Sequence, residues 1–506
     1  MISSHPPGLW YDEAINGLDG LSLYQRLSIF FTTESHPREP MYMYLVSLVF
    51  LFFDPTVFSL RMVSALAGAA CIPAIYLLVR CARENRKEAL FAAIALLFMR
   101  WHIHHSRLAL RSILVPLWMC ITFWSSFSAM KSGKTWRYGA AGIIFGLGFY
   151  THLAFRFAPL ILLFPAIFLF RKNVLSWKND GRKFVFYIAG AIIAFLPLGI
   201  DYLIYPFHFF GRTSEVSLFS EGFTSGIGAI IRNTGKTLLM FSFRGDQNPF
   251  LNIPGYPVFH PLASIFFYIG IIVAARKARR DSFSFLLFPW FGIMLLGTVL
   301  STEAPHFSRS LGACIPAAVF LGTGVKEAYE WIYDFLRKKR AVVVTALIWI
   351  LIASWDLSLY FVKYRGNPDL WRRTNATWVE AARAAADVPE NKFVVYLPRD
   401  IYNHPSFRFI TLDVPAGKLR PMAFPEALSG SGEAKSRDHI ILATLYMRAP
   451  LFRLIRDQIP AAELTREFRF PDGTVWGVFY RIPSDNLVKT SRALNLVRRF
   501  EPSVNH

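Results

Sequence analysis

Cysteine is scarce, with four in 506 residues. Cys71, Cys81, Cys120 and Cys314 lie in or beside apolar runs and none lies in the polar C-terminal region, which argues against a disulfide framework. No Cys-x-x-Cys spacing offers a metal pair. Glycine-rich phosphate loops of the P-loop or Rossmann type are missing, so no soluble nucleotide site is legible. No Ser-His-Asp arrangement, internal repeat or low-complexity tract can be read. Residues 1–37 are polar and mixed, without the basic stretch and apolar core of a signal peptide. Charge is sparse, at 18%, and lopsided, with 34 acidic against 55 basic residues and a net charge of +21.

Apolar residues dominate instead: 54% of the chain is hydrophobic and 16% aromatic, with a mean hydropathy of +0.35. Runs of about 16–24 apolar residues predict an integral, polytopic membrane protein. The spans fall at approximately 56–79, 88–103, 112–130, 138–153, 155–170, 184–204, 259–275, 282–300, 309–325 and 341–360. Residues 38–53 form a shorter apolar stretch ending at Asp54-Pro55 and read as a juxtamembrane helix. The expected fold class is therefore α: a transmembrane bundle over residues 1–360, with about ten spans. A small α/β domain over 361–506 is expected to follow it. There Arg373–Ala386 reads as an alanine-rich helix, and Lys392–Leu397, His439–Ala443 and Val475–Arg481 read as strands. Lys489–Arg499 reads as a basic surface helix.

The basic clusters separate the spans, so they report topology rather than affinity for nucleic acid. Arg80/Arg83/Arg86/Lys87, Lys131/Lys134/Arg137, Arg171/Lys172/Lys178/Arg182/Lys183, Arg276/Lys277/Arg279/Arg280 and Lys326/Arg337/Lys338/Lys339/Arg340 fall in every second loop. Those loops are expected on the cytoplasmic side of the cell membrane, and the alternate loops, both termini and the C-terminal domain on the outside. An outside N-terminus with no preceding signal leads to the expectation that a first in-to-out helix is missing from the sequence.

The outside loops hold almost all the polar chemistry. Asp12 and Glu13, in Trp10-Tyr11-Asp12-Glu13-Ala14, are candidate acid–base residues, or else helix-start acids favoured by the helix dipole. Arg107, Arg111, Arg156 and Arg309 suit a departing phosphate, by forked charge-assisted bonds; singly, each reads as a snorkelling helix-end arginine. Arg107 and Arg111, four apart, are expected to share a helix face. His102 and His105 are spaced to hold a metal together with an acid from elsewhere, though two same-face ligands make no site; interfacial packing is the plainer reading. His152 and His306, each near an arginine, suit sugar hydroxyls or plain helix-end packing.

The order of these fragments resembles the C-type glycosyltransferase fold, within it the family-39 branch of protein O-mannosyltransferase-like and aminoarabinose-transferase-like bacterial enzymes. The resemblance covers residues 8–325. It is carried by Trp10–Ala14, by His36-Pro37-Arg38-Glu39-Pro40, by His105-Ser106-Arg107-Leu108-Ala109-Leu110-Arg111, by Tyr150-Thr151-His152-Leu153-Ala154-Phe155-Arg156 and by Glu303-Ala304-Pro305-His306-Phe307-Ser308-Arg309. It implies a polyprenyl-phosphate sugar donor, with an acceptor that is a protein, a lipid or a glycan. It implies Asp12 as catalytic acid of the Asp-Glu motif, and no metal or other cofactor, with a divalent metal as the alternative. The expected donor-phosphate residues are Arg107, Arg111 and Arg309. The expected substrate residues are His105, His152, Arg156, Glu303 and His306, and Glu13 is expected to orient a sugar. Two features depart from the pattern: the usual first helix is absent, and Arg111 and Ser112 stand where many relatives carry an Asp. A flippase for lipid-linked sugars, or a non-catalytic envelope scaffold, are the alternatives from other classes.

Overall fold

The computed structural model describes residues 2–26, 31–32, 37–172, 177–216, 218, 223–365, 367–415, 417–421, 437–444 and 462–483. His36 and Lys489–Arg499 lie outside the described residues. The chain divides into two compact units. One comprises Asp19–Arg365 with Ile2, and the other Ser3–Leu18 and Gly366–His506 with Met1.

The larger unit is helical. Helix α1 (Tyr11–Arg26) enters it, followed by the short strands β1 (Phe31–Thr32) and β2 (Pro37–Arg38). Then come α2 (Met41–Phe50), α3 (Val57–Arg83), α4 (Arg86–Phe98), α5 (Arg100–His105), α6 (Leu114–Ser132), α7 (Thr135–Leu147) and α8 (Ala158–Arg171). The rest are α9 (Trp177–Ile204), α10 (Pro206–Val216), α11 (Phe223–Leu239), α12 (Pro261–Lys277), α13 (Ser282–Val299) and α14 (Cys314–Ser358). Every predicted span falls on a helix, because each apolar run is long enough to bury or to face lipid all round. Among the described residues seven helical segments are long and apolar enough to cross a membrane, not ten. The predicted spans at 88–103, 138–153 and 259–275 become shorter helices. Met99 turns extended and splits the first into α4 and α5. The second ends in a 3-10 turn at Gly148–Tyr150, and the third, α12, is 17 residues long.

The helical range of α14 covers 45 residues, yet the chain reverses within it. The Phe91 ring on α4 lies 6.1 Å from Tyr329 and 6.3 Å from Trp349. A straight helix would hold those two residues roughly 30 Å apart. The two limbs, Leu311–Leu336 and Lys339–Tyr364, are therefore separate spans joined at the basic stretch around 337–340. Close backbone approach packs the first limb against α12. A Cβ on Gly324 would sit 1.8 Å from Phe266 O, and one on Gly270 1.7 Å from Phe320 O. Small residues are how helices come together in lipid.

At the far end of α3, Arg83 joins three elements, pairing with Glu88 (3.3 Å) and Asp281 (3.2 Å) and donating to Ser284 Oγ (2.7 Å). The region 205–258, between two predicted spans, holds α10 and α11. Helix α11 is inverted: Ile227, Ile231 and Leu238 are exposed, while Asn233 and Thr237 are buried. Asn233 Nδ2 donates to Val299 O (3.2 Å) and Ser301 O (2.9 Å), satisfying carbonyls at the end of α13. The next segment, 245–258, is tied down from inside. Arg100 donates to Asn252 Oδ1 (3.2 Å), His104 to Phe250 O (2.6 Å) and Tyr364 to Pro249 O (2.7 Å).

The smaller unit adds α15 (Pro368–Arg373), α16 (Ala376–Asp387), β3 (Phe393–Leu397), α17 (Arg399–Tyr402), α18 (Pro405–Ile410) and β4 (Leu419–Pro421). Strands β5 (Asp438–Thr444), β6 (Glu463–Arg469) and β7 (Val475–Ile482) complete it. The five strands order as β4-β3-β5-β7-β6, with β3 parallel to β4 and β5, and β7 antiparallel to β5 and β6. Ala381, Ala384 and Ala385 of α16 pack on Val395, Leu442, Phe479 and Trp476 of the sheet. Alanine at these helix positions lets the helix lie close over the bulky strand side chains.

Candidate active site

Within the larger unit, one end of the bundle gathers polar side chains from four connections. Glu39, just before α2, is buried. Its Oε2 lies 2.6 Å from Arg111 Nη1 and its Oε1 3.2 Å from Arg156 Nη2. Arg111 opens the 3-10 turn ahead of α6, and Arg156 sits in the 3-10 turn Leu153–Phe157. Arg156 also donates to Phe209 O (2.6 Å) and Tyr202 Oη (3.1 Å), with its guanidinium 4.2 Å over the Phe209 ring. Burial pushes the Glu39 carboxyl up, but Arg111, Arg156 and His152 together hold it below its ordinary 4.5. Glu39 is thus an anion clamped by two cations.

His152 begins the same turn, its Nδ1 accepting from Ala154 N–H (3.1 Å), and it lies near His306 as well as Glu39. His306 Nδ1 accepts from Arg309 N–H (3.3 Å), and Thr298 Oγ1 accepts from His306 N–H (2.8 Å). Burial, and then Arg309, His105 and His152, keep His306 well below its usual range, so it is neutral. His105 donates from Nδ1 to Trp101 O (3.0 Å), which fixes its tautomer, and burial lowers it to about 4. Ser308 Oγ donates to Ser112 Oγ (3.0 Å), joining the loop before α14 to the one before α6. Asp246 anchors the same loop: its carboxylate accepts Phe307 N–H (2.8 Å) and Asn248 N–H (2.8 Å). Burial raises Asp246 to about 6.

The structure therefore brings together Arg111, Arg156, His152, His105, His306 and Arg309. Glu303 sits at the rim of this group, 69% exposed with its carboxylate 3.9 Å from His306. The shared helix face of Arg107 and Arg111 is not present. α5 ends at His105, and Leu108–Leu110 leave the helix before the turn at Arg111. Ser106 Oγ bonds back to His102 O (2.7 Å) at that end. Arg107 lies over the Phe361 ring (5.5 Å) while Arg111 meets Glu39. Among the described residues no three His, Cys, Asp or Glu side chains gather as metal ligands.

Asp12 and Glu13 belong to the smaller unit, in the first turn of α1. Glu13 is fully buried, and its Oε2 accepts from Trp10 N–H (3.1 Å). That contact gives Glu13 the task of closing the helix start. Glu39 stands in a motif legible in the sequence but has no role assigned there, and neither do Asp246 and Tyr202. A lone acid flanked by prolines after an arginine was the one available signal for Glu39.

The helical membrane unit with its small sheet domain is a C-type glycosyltransferase fold. Residues 35–200 match the dolichyl-phosphate-mannose-protein mannosyltransferase family, and the seven long apolar helical segments make the chain a membrane protein. It is similar to ArnT from Cupriavidus metallidurans, solved bound to undecaprenyl phosphate, with TM-score 0.56 and 12% identity over 94% of each chain. The apo state of the same protein gives 0.56 and 11% identity over 95% of each. The archaeal oligosaccharyltransferase AglB from Archaeoglobus fulgidus, solved with an inhibitory peptide and a dolichol-phosphate, gives 0.52 and 15% over 96% of this chain and 74% of that one. No curated protein sequence matches.

Proposed function

We propose that this chain is a membrane glycosyltransferase that moves one sugar from a polyprenyl-phosphate carrier to an acceptor hydroxyl at the outer face of the cytoplasmic membrane. The observation that carries this reading is the buried carboxylate of Glu39, held between Arg111 and Arg156, with Arg309 beyond. These arginines gather at the end of an apolar bundle where a lipid phosphate would arrive. The family match over 35–200 and the lipid phosphates in the similar structures support the same donor class.

In this reading Asp12 takes the proton from the acceptor hydroxyl as its oxygen attacks the anomeric carbon. The bond from that carbon to the phosphate oxygen breaks on the opposite face, so configuration inverts. Arg111, with Arg107 and Arg309, stabilises the charge that grows on the departing phosphate. Arg156 is held among Tyr202, Phe209 and Glu39, and with His152 and the neutral His105 and His306 it faces the sugar. Glu39 keeps Arg111 and Arg156 in place between turnovers. The acceptor is a hydroxyl of a protein, a lipid or a glycan.

The test is purified protein supplied with a panel of polyprenyl-phosphate sugars and followed by release of free polyprenyl phosphate. Asp12→Asn keeps the side chain's shape and should lower turnover by roughly 10²–10⁴ with donor binding retained. Normal turnover in Asp12→Asn would remove the proposed base, and no release with any donor would remove the proposed activity.

A further inference from the structure

The C-terminal domain has no part in the chemistry as described so far, yet the segment carrying Asp12 is built into it. Residues 3–18 group with 366–506 as one compact unit, although hundreds of residues separate them in sequence. Three independent contacts hold the segment there. Ser406 Oγ, fully buried at the start of α18, donates to Leu9 O (2.6 Å). The Tyr11 ring meets His404 (5.4 Å), which in turn meets Trp378 (4.2 Å). Gly8 takes a left-handed φ of +75°, and a Cβ there would lie 2.3 Å from Thr374 O and 2.7 Å from Ala376 N. The chain thus passes against the start of α16 too closely for any side chain.

These contacts converge on the turn that presents the acid. Leu9 precedes Trp10, whose carbonyl accepts the first helical bond of α1 from Ala14 N–H (2.9 Å). Trp10 N–H is closed by Glu13 (3.1 Å). Asp12 sits inside this closed turn, so its direction is set by where Leu9 and Tyr11 are fixed. His404 Nδ1 accepts from Ser406 N–H (3.2 Å), which ties the ring contact and the hydroxyl contact into one local structure.

We infer that the C-terminal domain is the positioning element for Asp12, with Ser406 as its principal positioning residue. This rests on Asp12 being the base proposed above. A displacement of the order of 1 Å at a catalytic group costs roughly 100-fold in rate, so loss of the Ser406 bond has a measurable effect.

The experiment uses the full-length chain in detergent, with release of polyprenyl phosphate as the activity readout and melting temperature as the check on folding. Ser406→Ala is expected to lower turnover by roughly 10- to 100-fold with unchanged affinity for the polyprenyl-phosphate sugar, and Ser406→Thr, which keeps the hydroxyl, to recover most of it. In an Asp12→Asn background Ser406→Ala should add almost nothing, because the base it positions is gone. Hydrogen exchange gives a readout free of activity: amides at residues 10–14 should exchange faster in Ser406→Ala, with the β3 and β7 amides unchanged. Gly8→Ala disturbs the same turn from the other side, leaves the sheet core untouched, and should reproduce both effects if Ser406→Ala folds poorly. Equal losses in both backgrounds, or unaltered exchange at 10–14, would overturn the positioning role. If Asp12→Asn alone retains turnover, the proposed base fails, and the exchange measurement still decides whether the domain holds the turn.

Discussion

Glu39 is the residue on which the larger unit's polar end depends. Its carboxylate is the shared partner of Arg111 and Arg156, and removing one member of a buried pair leaves charge uncompensated. Glu39→Gln should therefore destabilise by about 3 kcal/mol in thermal or denaturant unfolding. Its pH dependence has a defined sign. Because the folded carboxyl is held below the ordinary 4.5, the stability it contributes is complete above that value and is lost as pH falls through the lowered one. The acid limb of an unfolding curve should be shallower in Glu39→Gln than in the native chain; an identical limb would place the acid lability elsewhere. At this scale the sequence was half legible. The arginine and histidine fragments lie in loops that the structure brings together, as expected of ionisable groups between apolar runs, which are seldom idle. The helical pairing of Arg107 with Arg111 failed because Ser106 and the residues after it end the helix, and a spacing of four carries no face information outside one.

Among the elements, the helices were legible because each is an apolar run, and their lengths less so, because Met99 and the Gly148 turn interrupt two of them without a charge to mark the break. α10 and α11 escaped notice since their apolar faces point outward, which reverses the pattern of a soluble helix. Packing between elements turns on close backbone approach. Gly324→Leu would drive a side chain into Phe266 O and force α12 from α14, and it should lower the melting temperature in detergent by several degrees, with ~3 kcal/mol lost to overpacking. Gly228→Ala on α11 has nothing within 4 Å of the added methyl and serves as the neutral comparison. Equal melting for Gly324→Leu and the native chain would mean that the two helices part without cost.

For the whole molecule, the alternation of basic loops predicts which side each connection faces. In sealed cells a thiol at Glu303→Cys, in an exposed loop, should react with an impermeant reagent, while one at Arg279→Cys should not. Labelling at position 279 from outside would invert the orientation and with it the proposed outer-face reaction. What no local pattern showed was that residues 3–18 belong with the C-terminal unit; the Ser406–Leu9 bond spans 397 positions, and nothing in either stretch announces the other. The reversal inside α14 has a consequence for how the protein is made. The apolar stretch of Leu311–Leu336 is mostly buried within the protein and is the least apolar of the seven spans, whereas that of Lys339–Tyr364 is mostly exposed and far more greasy. Left alone at the translocon, the first limb has a weak claim to enter lipid. With a reversal this tight the limbs leave the ribosome almost together, so the second limb carries the first across as a preformed pair, and a ribosome stalled between them would strand a segment fit for neither water nor membrane.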